Sequence, residues 1–516
     1  MKIDNNKYSF LLSVAVSGAL LGYMYPPITS SYAVFLILIP FFHQLMAHPE
    51  KSVKISFVFG LFLSFTSTYW IFYNAGAGEM WIRIMSGIGL FIVNATYYAI
   101  FGLLYNASYK IFKDKAVWTI PILWGGMEHL MLYEEMAFPW TFIAHTLTGK
   151  TEFIQITEYF GVISVSMLAV FISVLLYLGL KNILEKKYFQ ASINIQLALL
   201  IIFGSIIFGH YRLNDLKVEI QSMPSIKAAL IHPGLDVEYK WEKENFKKII
   251  ETQFSLSDRS LNENPSLIIW GESNFPRYLE NNPSYIQDFI LYSAKNNVDL
   301  CVGSPGYDYF PETESFKKYN SVFYFDQNNN MNRYDKRKLV PFGESFPYSW
   351  ILTFLKDISL GQSNFDKGEN NEPFVMTDGT RFHTNICYEA LFPYYNSSIV
   401  MKGSQFIVNV SNDAWYEGTK EIYQHSRFNV FRAIENRRSV VRLANKAENS
   451  LFLPSGEQNI LFDASKNIQK VVSVPLNDKL TIFSRFGHYF ASIVIIINSL
   501  FLIFGFIAYI KHKNGR

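Results

Sequence analysis

Three residues in the C-terminal half of the chain have side chains that together suit acyl-transfer chemistry. Glu272 follows the apolar run 267–270, Lys336 lies in a basic stretch, and Cys387 ends the short predicted strand 384–387. A free thiol has a pKa of about 8.5 and is only slightly ionised at neutral pH, so it needs a base or a nearby cation. Glu272 can accept the thiol proton, and Lys336 can stabilise both the thiolate and a tetrahedral oxyanion.

Each of these residues also has an ordinary structural interpretation. A cysteine at a strand end is usually a small core residue, and a lysine among other basic residues usually lies on a solvated face. The combination favours catalysis, because α/β folds collect reactive side chains at the carboxyl ends of their strands. Cys301 keeps the structural interpretation, and no disulfide to Cys387 is expected, since it would consume the nucleophile.

No metal or cofactor is expected at this site. His383 and His425 lack the H-x-x-x-H or C-x-x-C partners of a metal centre, and each is interpreted as a structural hydrogen-bonding residue. The chain also has no glycine-rich phosphate loop.

The pattern from residue 226 onward predicts an α/β domain that positions these residues. Amphipathic stretches predict helices at 237–254, 285–296 and 423–438, and the asparagines at 328–330 are typical of a hairpin turn. Short apolar runs predict strands at 226–231, 266–270, 298–303, 321–325, 384–387 and 406–410.

The N-terminal part has the composition of a membrane domain. Charged residues make up 17% of the chain, and only 22 of the 89 lie in the first 210 positions. This balance excludes a wholly soluble, a disordered and a fibrous protein, and a net charge of +3 gives no reason to expect nucleic-acid binding. Because about 20 apolar residues cross a bilayer, the uncharged runs predict eight transmembrane helices, centred near residues 18, 40, 64, 95, 124, 171, 203 and 498.

Lysine and arginine in the short connections predict the orientation of these helices. With the N-terminus inside, thirteen of these residues are cytoplasmic, whereas the outer connections hold only Arg83 and Lys150. Glu128, near the outer end of helix five, is expected to be solvated there, or else to help hold a substrate headgroup or shape the cavity. The predicted domains are a seven-helix bundle at 1–212, an α/β domain outside the cytoplasm at 219–480, and the eighth helix with a cytoplasmic tail at 485–516.

Several motifs around the three reactive residues resemble one protein family. Glu, Lys and Cys in this order within an α/β domain are similar to the carbon-nitrogen hydrolase, or nitrilase, superfamily. The resemblance spans nearly the whole chain, since one branch, apolipoprotein N-acyltransferase, also combines eight membrane helices with an external domain. Similar to that branch are Y-x-K-x-x-L-V-P-F-G-E at 334–344, C-Y-E at 387–389, N-D-A-W at 412–415, Q-H at 424–425, R-A-I-E-N-x-R at 432–438 and V-R-x-A-N at 441–445.

The resemblance implies that Cys387 is the nucleophile, Glu272 the general base and Lys336 the oxyanion-stabilising cation. The implied fold is a nitrilase-like α-β-β-α sandwich on a transmembrane bundle, in a bacterial inner membrane with the sandwich on the outer face. The implied reaction moves an acyl chain from a phospholipid to the cysteine, and then to the N-terminal amine of a diacylglyceryl-cysteine on an apolipoprotein. Supporting roles are implied for Glu344, Tyr388, Glu389 and Trp241.

The chain departs from the family pattern near the site. Gly271 stands where the family usually has proline, Ala137 where glycine is usual, and Lys446-Ala447-Glu448 follows Asn445 where the family commonly continues Thr-Gly-Ile. These departures remove none of the three catalytic residue types.

Two other functions stay open at this point. One is a membrane-tethered amidase or nitrilase that uses the same three residues, with water as the acyl acceptor. Eight helices would be an excessive membrane tether for an enzyme with a soluble substrate. The other is a non-catalytic transporter or sensor, which should carry charges within several membrane helices. Only Glu128 fits that pattern.

Overall fold

The structure is a computed structural model that describes residues 9–28, 32–77, 79–133, 135–348, 364–462 and 467–514. The chain forms two compact units. The first comprises Met1–Phe72, Ile84–Leu213 and Phe486–Arg516, and the second comprises Tyr73–Arg83 and Asn214–Arg485.

The first unit is built from helices. Helical segments contain each of the eight centres predicted from the sequence. Within the described residues, five segments are long and apolar enough to cross a membrane, namely Pro49–Tyr73, Met80–Leu130, Val162–Leu184, Tyr188–Ser222 and Ile482–Ile507. The number of crossings and their orientation stay predictions. The helices are α1 (Ser9–Tyr23), α2 (Val34–Ile37), α3 (Ile39–Ala47), α4 (Ser52–Thr68), α5 (Met80–Phe112), α6 (Ile120–Leu130), α7 (Thr157–Phe160), α8 (Val162–Leu184), α9 (Tyr188–Ser222) and α16 (Ile482–Asn514).

Small residues allow α1 and α4 to pack closely. A Cβ atom on Gly18 would lie 2.4 Å from the carbonyl oxygen of Phe59, and one on Gly22 would lie 2.5 Å from that of Leu63. Apolar helices in lipid gain little from hydrophobic burial against each other, so such close backbone contact is a main source of their association.

Glu128 is not solvated, so that expectation from the sequence is wrong. Its side chain is fully buried inside the first unit. Trp124 Nε1 and the backbone N–H of Ile143 each donate a hydrogen bond to Glu128 Oε1 at 3.0 Å. A buried carboxylate requires hydrogen-bond donors, and these two contacts provide them. The same contacts hold the end of α6 against the segment at Ile143.

In the described part of the second unit, the strands form two six-stranded sheets, with strand orders β12-β1-β2-β3-β4-β5 and β11-β10-β9-β8-β7-β6. Strands β1, β2 and β3 pair in parallel, as do β7, β8 and β9, while the outer strands of each sheet pair antiparallel. The strands are β1 (Ser225–His232), β2 (Leu267–Trp270), β3 (Asp299–Phe310), β4 (Ser315–Phe325), β5 (Met331–Asp335), β6 (Phe374–Val375), β7 (Arg381–Ile386), β8 (Phe406–Asn412), β9 (Ser439–Asn445), β10 (Asn449–Phe452), β11 (Gln458–Phe462) and β12 (Ile468–Pro475).

Helices cover the sheets of the second unit. They are α10 (Val237–Trp241), α11 (Phe246–Ser260), α12 (Pro283–Asn296), α13 (Pro393–Val400), α14 (Glu421–Arg427) and α15 (Asn429–Asn436). α11 and α12 enclose an aromatic core with the first sheet, in which Trp270 and Phe289 have ring centroids 5.3 Å apart. The sheets face each other through residues such as Tyr324 of β4 and Phe382 of β7, whose rings lie 5.8 Å apart. The layers are therefore helix, sheet, sheet and helix.

Several elements differ from the sequence-based expectations. The stretch 237–254 is not one helix, because the chain becomes extended at Glu242 and α11 begins only at Phe246. The stretch 423–438 is likewise two short helices, α14 and α15. Strand β7 ends at Ile386, one residue before Cys387.

Candidate active site

Each of the three reactive residues comes just after the carboxyl end of a strand. Glu272 comes two residues after β2, and Lys336 directly follows β5, which runs in the same direction as β2 because β3, β4 and β5 are successively antiparallel. Cys387 directly follows β7, a parallel strand of the second sheet. This topology brings together residues that are far apart in the sequence.

Glu272 is buried and is held at both its side chain and its main chain. Asn320 Nδ2 donates a hydrogen bond to Glu272 Oε1 at 2.6 Å, and Lys240 Nζ donates one to the Glu272 carbonyl oxygen at 2.8 Å. Burial raises the pKa of the Glu272 carboxyl, and the charge of Lys336 acts against this rise. A raised carboxyl pKa suits a general base, which must take up a proton during the reaction.

Lys336 is fully buried beside an acidic partner. Its Nζ lies 2.8 Å from Glu344 Oε1, and its backbone N–H donates to the Asn320 carbonyl oxygen at 2.8 Å. Burial alone would lower the pKa of Lys336, but the carboxylate of Glu344 and the neighbouring Cys387 and Glu272 raise it above its ordinary value. The ammonium group therefore stays charged at neutral pH.

Glu344 connects the loop after Lys336 to the site. The backbone N–H of Val340 donates to Glu344 Oε2 at 2.9 Å, and Asn320 Nδ2 lies 3.3 Å from Glu344 Oε1. The Asn320 amide thus lies between the carboxylates of Glu272 and Glu344.

Cys387 lies at a strained position of the backbone. Its φ is +52°, in the left-handed region, and it is the first residue of the 3₁₀ helix Cys387–Leu391. Such a conformation is unfavourable for a residue with a Cβ atom, and it persists at functional sites where it directs a side chain. Burial raises the pKa of the thiol well above its ordinary value, and the charge of Lys336 opposes this. The thiol is therefore protonated at neutral pH and needs a base to react.

Glu389 ties the turn that carries Cys387 to the segment that carries Lys336. Its Oε2 accepts a hydrogen bond from the Ile386 N–H at 2.8 Å, and its Oε1 accepts one from the Arg337 N–H at 2.7 Å. The hydroxyl of Tyr334 donates to the same carboxylate at 2.7 Å. Burial raises the pKa of Glu389, while these donors favour its ionised form.

The remaining two residues from the sequence analysis differ in their placement. Tyr388 is buried, with its ring centroid 5.2 Å from that of Phe392 in an edge-to-face contact. Trp241 is 40% exposed at the end of α10, whereas the side chain of its neighbour Lys240 is fully buried. The structure therefore brings Glu272, Lys336 and Glu344 into one cluster whose charges act on Cys387, and it leaves much of Trp241 at the surface.

Sequence reasoning missed Lys240 and Asn320 as parts of this cluster. Lys240 directly precedes Trp241 but belongs to none of the motifs above, and Asn320 precedes the expected strand 321–325 without belonging to any motif. Both residues contact Glu272, which is 32 and 48 positions away in the chain. No local pattern signals contacts over such separations.

A second buried ionic cluster follows strand β8. His425 Nδ1 lies 3.1 Å from Asp413 Oδ1 and 3.3 Å from Glu421 Oε1, and Arg442 Nη2 pairs with Asp413 Oδ2. The potential ligand atoms of Asp413, Glu421 and His425 lie within 4.8 Å of one another, a spacing that suits a metal ion. Arg442 already supplies positive charge to this cluster, so the carboxylates have a counter-ion within the protein.

The other histidine considered in the sequence analysis has amide and hydroxyl partners. His383 Nε2 lies 3.2 Å from Asn396 Oδ1, and its Nδ1 lies 3.3 Å from Ser404 Oγ. These contacts fit a structural hydrogen-bonding residue.

Comparisons with known proteins cover most of the chain. The family model described as Apolipoprotein N-acyltransferase N-terminal domain matches residues 17–175, and the one described as Carbon-nitrogen hydrolase matches residues 238–466. The chain is 27% identical over 492 residues to the apolipoprotein N-acyltransferase of Geobacter metallireducens, covering 93% of this chain and 92% of that protein. It is 26% identical over 501 residues to that of Rickettsia prowazekii, covering 93% and 95%.

Among solved structures, the chain is similar to Saccharomyces cerevisiae Nit3, a member of branch 10 of the nitrilase superfamily. The sequence identity is 17% and the TM-score 0.36, over 49% of this chain and 90% of that protein.

The two facing sheets of the second unit, together with the match of residues 238–466, define a carbon-nitrogen hydrolase fold. In this chain the fold occurs with a helical unit that contains several segments apolar enough to cross a membrane. The chain belongs to the apolipoprotein N-acyltransferase family.

Proposed function

We propose that this protein transfers an acyl chain from a phospholipid to the N-terminal amine of a diacylglyceryl-cysteine on an apolipoprotein. The observation that carries the proposal is the buried cluster of Glu272, Lys336 and Glu344 around the turn of Cys387, in a chain of this family. A nucleophilic thiol, a base and a cation are the groups that acyl transfer through a thioester requires.

In the first half-reaction, Cys387 attacks the ester carbonyl of the phospholipid. The thiol proton passes to Glu272 as the sulfur–carbon bond forms, and Lys336 stabilises the negative charge on the carbonyl oxygen. The tetrahedral intermediate then collapses to a thioester, and Glu272 returns the proton to the departing glyceryl oxygen. The products are acyl-Cys387 and a lysophospholipid.

In the second half-reaction, the neutral amine of the lipoprotein attacks the thioester carbonyl. Glu272 accepts a proton from the attacking nitrogen, and Lys336 again stabilises the oxyanion. Collapse of the intermediate forms an amide and breaks the carbon–sulfur bond, and Glu272 returns the proton to the departing sulfur, so that Cys387 is regenerated as a thiol. The base thus cycles between its two protonation states without any cofactor.

The supporting residues in this proposal act through contacts already described. Glu344 positions Lys336 through its ion pair, and Glu389 keeps the turns of Cys387 and Lys336 in register. Tyr388 and Trp241 are proposed to contact the substrate. The proposed catalytic unit is 219–480.

We further propose an eight-helix arrangement with the catalytic unit on the outer face of a bacterial inner membrane. Thirteen basic residues in the connections on one side and two on the other support this orientation. A phospholipid donor and a lipid-anchored acceptor would both be present at that face.

Incubation of the purified protein with a phospholipid labelled in its acyl chain tests the function. We expect a labelled thioester on Cys387 that disappears when a synthetic diacylglyceryl-cysteine peptide is added, with the label recovered as an amide on the peptide. Hydrolysis of the thioester with no transfer to the peptide would instead identify a membrane-tethered hydrolase. Absence of any covalent intermediate would contradict both.

A further inference from the structure

A second buried lysine, Lys240, belongs to the site through its contact with Glu272. It lies in α10 (Val237–Trp241), and its side chain has no exposure to solvent. Lysine is almost never fully buried unless its charge is compensated, because an ammonium group loses several kcal/mol of solvation in the interior. The position of this charge therefore calls for an explanation that the three proposed catalytic residues do not supply.

We propose that Lys240 is a positioning residue that holds the main chain of Glu272 and supplies the positive charge that keeps the Glu272 carboxylate ionised. This inference deepens the proposed function and depends on Glu272 being its general base.

The first argument is geometric. Lys240 Nζ donates a hydrogen bond to the carbonyl oxygen of Glu272 at 2.8 Å. Within the described ranges, this is the only hydrogen bond of the Lys240 side chain, and no carboxylate lies within 4 Å of Nζ. Gly271 precedes Glu272, and glycine by itself restrains the backbone little. The tie to Lys240 restrains the main chain at the point where the base is attached.

The second argument is the balance of buried charge. The charged groups that act on Glu272 are one further acid, Glu344, and two bases, Lys336 and Lys240, so acidic and basic groups around the carboxylate are matched in number. Without Lys240, the same cluster would have an excess negative charge in a medium of low dielectric constant. Proton uptake by a carboxylate would remove that excess. Lys336 Nζ lies 2.8 Å from Glu344 and forms an ion pair with it. Among the described residues, Glu272 has no such ion pair with a lysine, so it is the carboxylate expected to take up the proton.

The pKa directions agree with this balance. Burial raises the pKa of Glu272. The positive charges of Lys336 and Lys240 oppose this rise, and the negative charge of Glu344 adds to it. Burial lowers the pKa of Lys240 to about 8, and its interaction with Glu272 works in the opposite sense. Asn320, from strand β4, is the uncharged neighbour that donates to the carboxylate.

The decisive variant is Lys240→Gln, which keeps an amide donor but removes the charge. The measurement is the single-turnover rate of thioester formation on Cys387 from labelled phospholipid, as a function of pH. Loss of a nearby opposite charge raises a carboxyl pKa, so the acid limb of the profile should move to higher pH by up to about one unit. The rate on the acid limb should therefore fall by up to about tenfold, with a smaller loss on the alkaline plateau.

Three further variants make the result specific. Lys240→Arg keeps the charge and should retain the wild-type acid limb. Lys240→Met keeps the apolar stem and should shift the limb as glutamine does, which provides the measurement if the glutamine variant does not fold. Lys243→Gln removes an exposed lysine three positions along the chain and should behave as the wild type.

The possible outcomes separate the two hypotheses. An unshifted acid limb in folded Lys240→Gln, or a loss of rate equal at every pH, would overturn the role of Lys240 and leave the proposed function intact. Failure of the wild-type protein to form a thioester would overturn the proposed function itself. A shift of the acid limb in Lys240→Gln, with no such shift in Lys240→Arg, supports the inference.

Discussion

The side-chain amide of Asn320 lies 2.6 Å from Oε1 of Glu272, close enough to fix the orientation of that carboxylate. The backbone carbonyl of Asn320 also accepts a hydrogen bond from the N–H of Lys336 at 2.8 Å. One residue of β4 therefore orients both the proposed base and the loop of the proposed cation. Such second contacts determine how accurately catalytic groups are held, and small displacements of these groups reduce rates strongly.

Removal of any of the three proposed catalytic side chains should abolish transfer. Cys387→Ala, Cys387→Ser, Glu272→Gln and Lys336→Ala are each expected to lower the rate by at least about 10²- to 10⁴-fold, because nucleophile, base and cation act as a unit. Mass spectrometry should find no acyl-enzyme in Cys387→Ala.

Cys301→Ala provides the matched control for these substitutions. Cys301 is buried in strand β3, so its loss should reduce stability modestly and leave the chemistry intact. Full activity in any of the four catalytic variants, or loss of chemistry in folded Cys301→Ala, would contradict the assignment.

Gly303→Ala should impair catalysis through the backbone of the base. A Cβ atom at this position would lie 2.2 Å from the Gly271 carbonyl oxygen and 2.9 Å from Cα of Glu272. Such overlap costs about 1 to 3 kcal/mol and moves the backbone, and a shift of about 1 Å at a catalytic group costs about 100-fold in rate. Both the thermal unfolding midpoint and kcat should therefore fall.

Gly306→Ala is the control on the same strand. Its Cβ would meet the Ser321 side chain at 2.7 Å, and a hydroxyl can rotate away whereas a backbone carbonyl cannot. We expect a much smaller loss of kcat than in Gly303→Ala. Equal rates for the two variants would show that the contact with Gly271 does not position Glu272.

The buried cluster of His425 should make stability depend on pH. Burial lowers the pKa of His425, but the Asp413 carboxylate and the hydrogen bonds to Asp413 and Glu421 overcome this effect and that of Arg442, and raise it to about 9. Protonated His425 therefore contributes stability that is fully present below about pH 6.5 and is lost as the pH rises through about 9. The corresponding loss of unfolding free energy is up to about 3 kcal/mol.

Thermal unfolding in detergent between pH 6 and 9.5 measures this dependence, and His425→Gln should flatten it. His383→Gln is the control, since burial lowers the pKa of His383 to about 4 and this residue stays neutral over the whole range. A pH dependence that survives unchanged in His425→Gln would exclude the cluster as its source.

An aromatic segment that starts at Phe342 is the expected entrance for the acyl chain, because exposing each CH₂ group to water costs about 0.8 kcal/mol. Phe346 is partly buried, and its ring lies 5.3 Å from that of Phe342. Phe346→Asp should slow transfer from long-chain phospholipids much more than from short-chain ones, while Cys387 still reacts normally with a small alkylating reagent. An unchanged dependence on chain length would exclude Phe346 from the lipid path.

Two other aromatic residues, Phe392 and Trp350, are less suitable for such a test. Phe392 is only 3% exposed, so a charge there would test folding instead of lipid access. Trp350 lies outside the described residues.

Reporter fusions test the proposed orientation. A reporter enzyme that is active only outside the cytoplasm should be active when fused within 226–475 or after Arg485, and inactive when fused after Arg516. This follows from the distribution of basic residues in the short connections. The reverse pattern would place Cys387 away from lipoproteins on the outer face and contradict the proposed function.

The sequence by itself determined the residue types of the site and most of the strands around it. Strand patterns and turn residues are local properties, so the runs before Glu272 and Cys387 and the hairpin at 328–330 are recognisable without a structure. The sequence patterns do not predict the strands β9 to β12, and the two helices predicted at 237–254 and 423–438 are each interrupted. Amphipathic periodicity does not record where packing breaks a helix.

Only the tertiary structure decided which groups surround these residues. Glu128 is hydrogen-bonded instead of solvated, Trp241 faces outward where Lys240 faces inward, and Asn320 joins the site without any motif. Each of these outcomes depends on contacts between segments distant in the chain. Such contacts bury the side chains, and burial determines the free-energy cost of keeping each group charged. The left-handed backbone of Cys387 is likewise held by its surroundings, since an isolated cysteine would not adopt it.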